Sequence, residues 1–243
     1  MNKAGKLVLR SSILVLLLLP LIAVGHYFAF PEETHCILVD YSDLSKEGNL
    51  YFRNNVSVAT LDSVKSIINE ARARDRNFLG GLTCQPKFIF CNNDMDYAQY
   101  GDPMGSPACT HTKLGSYIVL SRKGMNVAVI AHELMHAELY QQIGFFNKQF
   151  KIPVWYKEGL AMQVDDRPDF SEDSLRVYSN NFTSLPDLRK LNTESLFLSG
   201  TSSQVVLNYA TARYEVSRWY TKEKMQQFIA AINKGAAFDK AYK

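Results

Sequence analysis

The residues with the clearest chemical potential are His132-Glu133-Leu134-Met135-His136. Two histidines at i and i+4 lie one turn apart on the same helix face, so their imidazoles can grip one metal ion. Zn2+ favours such nitrogen ligands. Glu133 directly follows the first histidine. Its carboxylate can take the proton from a water acidified by the metal during attack on a carbonyl. Two histidines leave the ion short of a protein ligand. A continued HExxHxxGxxH pattern is excluded, because those positions hold Leu139 and Gln142. The other histidines, His26, His35 and His111, lie upstream, so the third ligand is sought among downstream acids. Glu158, within Trp155-Tyr156-Lys157-Glu158-Gly159-Leu160-Ala161, is the best placed.

The motif needs a helix to aim it. Asn126–Ile143 is apolar at helical spacing, supported by Val127, Val129, Ile130, Leu134 and Leu139, with Gly144 as its C-cap. Pro153 opens a shorter helix, Val154–Val164, that can present Glu158 to the metal. Upstream, residues 32–56 read as an extended lead-in with a short strand at Cys36–Val39. Val58–Ala73 carries a helical apolar stripe, and Phe88–Phe90 and Gly115–Leu120 read as strands. Asn92–Thr112 is rich in Asn, Asp, Gly and Pro and reads as a loop. Residues 166–204 are polar and irregular, with a short helix near Pro186–Leu191. Val205–Tyr220 and Lys224–Asn233 read as closing helices. The predicted architecture is α+β: a small strand-bearing N-terminal half, a helical C-terminal half, and the chemistry at their junction. If Gly115–Leu120 lies at the sheet edge beside the cleft, its free backbone groups can pair with an extended substrate. The alternative is an ordinary interior strand.

The chain has 243 residues, 47% hydrophobic and 21% charged, a composition that excludes disorder. Its net charge of +3 is accounted for by Lys3, Lys6 and Arg10; the remaining cations balance the 24 acids. A neutral body without a basic stripe argues against nucleic acid as a partner. The three cations precede Ser11–Pro31, a stretch without Asp, Glu, Lys or Arg. Residues 1–30 therefore read as a signal-anchor, or as a signal peptide cleaved near Ala23-Val24-Gly25. Residues 31–243 then form one domain on the extracytoplasmic side of a membrane, tethered through the N-terminal helix, or secreted or periplasmic after cleavage. Cys36, Cys84, Cys91 and Cys109 make an even count, which in an exported chain suggests up to two disulfides.

WYKEGLA resembles the WxxEGxA pattern of the gluzincins, HExxH zinc peptidases whose third ligand is a Glu on a following helix. The resemblance spans roughly residues 85–243, and only the two zinc motifs are specific. It implies a zincin-like peptidase fold. His132, His136 and Glu158 match the metal ligands and Glu133 the general base. Gly159 and Ala161 match small positions where the two motif helices approach closely. Asn208-Tyr209-Ala210 is similar to closing helices that carry a tyrosine near the site. Tyr209 could donate a hydrogen bond to the oxyanion that forms during attack, or pack with Tyr214 and Trp219. One departure matters. Thermolysin-like enzymes carry an acid one turn after the third ligand, where this chain has Met162; Asp165 or Asp166 could replace it. The resulting expectation is an exported or membrane-tethered zinc metallopeptidase acting on a peptide or protein substrate. The alternatives are a catalytically silent zincin-fold binding or scaffold protein and a zinc hydrolase of a cell-wall amide.

Overall fold

The computed structural model describes residues 18, 20–102 and 105–243. Its strands are β1 (Ser45–Glu47), β2 (Leu50–Phe52), β3 (Lys87–Cys91), β4 (Ala108–His111) and β5 (Tyr117–Ser121). They form one sheet in the order β1-β2-β3-β5-β4. The three inner strands are parallel, and β1 and β4 run antiparallel at the two edges. Four consecutive residues of both β3 and β5 are buried, the pattern of strands covered on both faces.

Side-chain alternation divides the core in two. Phe88, Phe90, Ile118 and Leu120 point into the larger cluster, shared with the long helices. Tyr51, Ile89, Cys91, Tyr117 and Val119 point the other way, beneath α1 (Pro31–Ile37) and α3 (Asp94–Tyr100). α2 (Val58–Leu79) buries Leu61, Val64, Ile68 and Ala71 at helical spacing. Ser57 caps its start, and it runs six residues beyond the expected end, to Leu79, with Gly80 as its C-cap.

The helical half follows: α4 (Val127–Phe150), α5 (Val154–Ala161), α6 (Glu172–Tyr178), α7 (Glu194–Phe197), α8 (Ser202–Trp219), α9 (Lys222–Asn233) and α10 (Phe238–Ala241). The mixed α+β architecture agrees with the sequence expectation, and all strands of the sheet lie between residues 45 and 121.

Three local expectations are corrected. Cys36 and Ile37 are helical, not a strand, because Pro31 at the first turn and Glu32 and Glu33 beside it favour a helix start. The segment Asn92–Thr112 is not a loop throughout. Asn93 caps α3, accepting from Asp96 N, and β4 pairs with β5. The four cysteines are free thiols rather than disulfides. Cys91 and Cys109 lie on strands either side of β5, two sheet spacings apart and offset by two residues along it, so they are more than about 10 Å apart and beyond disulfide reach. Cys84 belongs to the other core cluster.

At the N-terminus, residues 20–29 are helical, with Leu21, Ile22, Val24 and Phe28 exposed. Among the described residues no helix is long and apolar enough to cross a membrane. Residues 1–17 and 19, which carry most of the expected anchor, lie outside the described residues.

Candidate metal centre

α4 begins where Asn126 accepts backbone N–H bonds from Ala128 (2.8 Å) and Val129 (3.4 Å). Its regular backbone breaks at Gly144, whose φ of 74° suits glycine, and a second helical stretch continues to Phe150. The expected end at Gly144 is thus a bend inside a longer helix. Ile130, Ala131, Leu134 and Ala137 fill the core, which leaves His132 and His136 side by side with Nε2 atoms 3.2 Å apart. On another side of the helix, buried Glu138 accepts from Thr83 N (2.9 Å), Thr83 Oγ1 (2.8 Å), Cys84 N (2.7 Å) and Gln142 Nε2 (2.7 Å). That carboxylate anchors α4 to the segment between α2 and β3.

α5 supplies the third group. Pro153 forms its N-cap, and Val154, Trp155 and Tyr156 are buried. Glu158 Oε2 lies 3.3 Å from His132 Nε2 and 3.5 Å from His136 Nε2. A tetrahedral zinc with bonds of about 2.0–2.1 Å requires ligand atoms about 3.3–3.4 Å apart. The three observed edges fit that requirement, and the donor set of two imidazoles and a carboxylate suits the same ion.

Gly159 is small for a different reason than the resemblance implies. A Cβ there would meet the Ala212 carbonyl oxygen at 2.5 Å and Val216 Cγ2 at 2.8 Å. The close approach is between α5 and α8, not between the two motif helices.

The charges are mutually adjusted. Burial opposes ionisation of Glu158, but His136 and His132 hold its carboxyl well below the usual range. Burial likewise opposes a charged His132, and the carboxylates of Glu158, Glu133 and Asp165 overcome it, so its pKa rises. His132 Nδ1 is buried and has no hydrogen-bond partner. Asp165 Oδ2 faces it at 3.7 Å, while Asp165 is also ion-paired to Arg167. Of the two acids considered from sequence, Asp165 is therefore the one beside His132. Asp166 is largely exposed and bonds Arg74 at 2.8 Å.

Glu133 accepts a 2.7 Å hydrogen bond from the Thr110 hydroxyl. Thr110 lies on β4, so the edge strand beside the motif is Ala108–His111. Gly115–Leu120 corresponds to β5, which is interior, between β3 and β4. Tyr209 does not pack with Tyr214 or Trp219. Its ring lies 6.4 Å from that of His132, between Phe197 (4.9 Å) and Phe170 (5.7 Å). Glu133, both histidines, Glu158, Thr110 and Tyr209 share one cleft of about 930 Å3. Thr110 and Glu138 were invisible in the sequence, since nothing in their local pattern marks them. Comparison with known proteins finds no matching family model, no significantly similar curated protein and no significantly similar solved structure.

Proposed function

We propose that this chain is a gluzincin-type zinc metallopeptidase that hydrolyses peptide bonds, with a zincin-like fold. One observation carries the reading: three donor atoms of His132, His136 and Glu158 converge at tetrahedral spacing, and Glu133 stands beside them in the same cleft. Zinc held there would supply Lewis acidity toward a substrate carbonyl. The rest of the chemistry belongs to the chain. Glu133, held by Thr110, is placed to accept and return a proton. β4 offers an edge on which an extended peptide can lie, because its free N–H and C=O groups can pair with a substrate backbone. Tyr209, whose ring neighbours that of His132 in the cleft, would donate to a developing oxyanion. The basic and then apolar N-terminus supports export or tethering, with the catalytic body outside the membrane.

The test is elemental analysis of the purified chain, followed by a peptide-library assay. The expected result is about one zinc per chain, sharply reduced in Glu158→Ala, and cleavage that Glu133→Gln lowers by at least about a hundredfold. Absence of zinc after reconstitution overturns the metal centre. Retained zinc without cleavage of any peptide overturns the peptidase reading and favours a binding protein or a hydrolase of another amide.

A further inference from the structure

Two lysines share the cleft with the proposed ligands. Lys148 projects from the stretch of α4 beyond Gly144, and Lys157 directly precedes Glu158 on α5. The sequence position of Lys157 suggests a side chain facing water, yet both lysines are partly buried. A cation withdrawn from water normally sits against a carboxylate. Among the described residues neither forms an ion pair. The acids whose charge reaches Lys148, Glu158 and Glu133, are engaged by the histidines and by Thr110. Among the described residues Lys148 Nζ has one hydrogen-bond partner, Thr112 Oγ1 at 3.3 Å, and the Lys157 ammonium has none. Both ammonium groups thus line the cleft without a direct carboxylate partner among the described residues, although the charges of Glu158 and Glu194 reach Lys157. Thr112 lies two residues beyond Thr110, just past the end of β4, so Lys148 reaches the line a substrate on that edge would follow.

We propose that Lys148 and Lys157 form an anion subsite that receives a carboxylate of the substrate next to the bond being cut. The inference rests on the metallopeptidase reading and specifies its substrate class: peptides carrying a carboxylate beside the scissile bond. That group is either the free C-terminus of a short peptide or an Asp or Glu side chain. A pair of ammonium groups recognises both through charge-assisted hydrogen bonds.

Two readouts test it. Binding of labelled peptides to the zinc-loaded, full-length Glu133→Gln chain is followed by fluorescence anisotropy, and cleavage is followed with the wild type. Matched peptides carry a free C-terminus or its amide, and an internal Glu or Gln. A preference of about tenfold or more for a carboxylate is expected, which is the strength of one charge-assisted hydrogen bond. Preference for the free C-terminus assigns an exopeptidase subsite, and preference for internal Glu assigns side-chain recognition. In Lys148→Gln the ratio of charged to neutral peptide collapses toward one, whereas Lys148→Arg keeps it. Cleavage without any charge preference overturns the subsite and leaves the peptidase reading standing. Charge-selective binding that Lys148→Gln abolishes, with no cleavage by the wild type, upholds the anion site and overturns the peptidase reading.

Discussion

Asp165 Oδ2 faces His132 Nδ1 at 3.7 Å, from a turn just after α5 rather than from the helix that carries Glu158. The distance is too long for a hydrogen bond but short enough for an ionic contact that fixes the ring. Arg167 holds the same carboxylate through both of its oxygens. Asp165→Asn is expected to weaken zinc binding by about 10–100-fold, the usual cost of losing such a support. Asp166→Asn, at an exposed position, should leave it unchanged. Competition against a chromogenic chelator measures both, and equal affinities for all three proteins would remove Asp165 from the centre.

Thr110 gives a second separation of roles. Its hydroxyl steadies Glu133 but touches none of the three ligand atoms. Thr110→Val is expected to lower kcat about tenfold while zinc content stays at the wild-type level. Loss of zinc in that variant would mean that β4 supports the ligands instead.

Tyr209 can be tested by removing one atom. In Tyr209→Phe the ring still packs on Phe197 and Phe170, so stability should hold. If the hydroxyl meets the developing oxyanion, kcat falls by about 10–1000-fold with KM little changed. Unchanged kcat would leave Tyr209 as packing alone.

Gly159→Ala should destabilise the fold by about 1–3 kcal/mol, because its methyl group collides with the Ala212 backbone and forces α5 away from α8. Glu158 is the preceding residue, so zinc affinity should fall in the same variant. Urea unfolding and chelator competition read the two effects separately.

Asp75 makes a pH prediction. It is fully buried on α2, and neither carboxylate oxygen has a hydrogen-bond partner. Burial, reinforced by Glu138, pushes its pKa up to about 8; His132 and Arg74 oppose that rise. The folded state thus binds this proton more tightly than the unfolded chain, where an Asp titrates near ~3.9. Its stabilising contribution is full below the unfolded value and is lost as pH rises toward about 8. Asp75→Asn should therefore gain on the wild type as pH increases. The gap in unfolding free energy is expected to widen by about 2 kcal/mol or more between pH 5 and pH 8. A gap independent of pH would show that Asp75 is not the titrating group.

The parts legible in the sequence are those with a short-range signature. His132 and His136 announce a shared helix face, and the period of Leu61, Val64, Ile68 and Ala71 announces α2. The strands β3 and β5 show as short apolar runs. The parts that were not legible depend on partners distant in the chain. β4 has a mixed burial pattern, with one buried and three half-buried residues, and it exists because β5 supplies its hydrogen bonds. Gly159 is small because of Ala212, 53 residues later. Lys157 is the lone cation of α5, and only the packing of that helix turns it into the cleft. Asp165 and Asp166 are equivalent as letters and are separated only by the turn after α5.

The three hydrogen bonds that Glu138 accepts from Thr83 and Cys84 give α4 a fixed rotational setting. The carboxylate is bolted to Thr83 and Cys84, so the helix cannot roll about its own axis without breaking a charged contact in a dry place. His132 and His136 are spokes on the same shaft. The stretch between α2 and β3 therefore acts as the index mark of the His132–His136–Glu158 cluster, and a change there would re-aim two imidazoles it never touches.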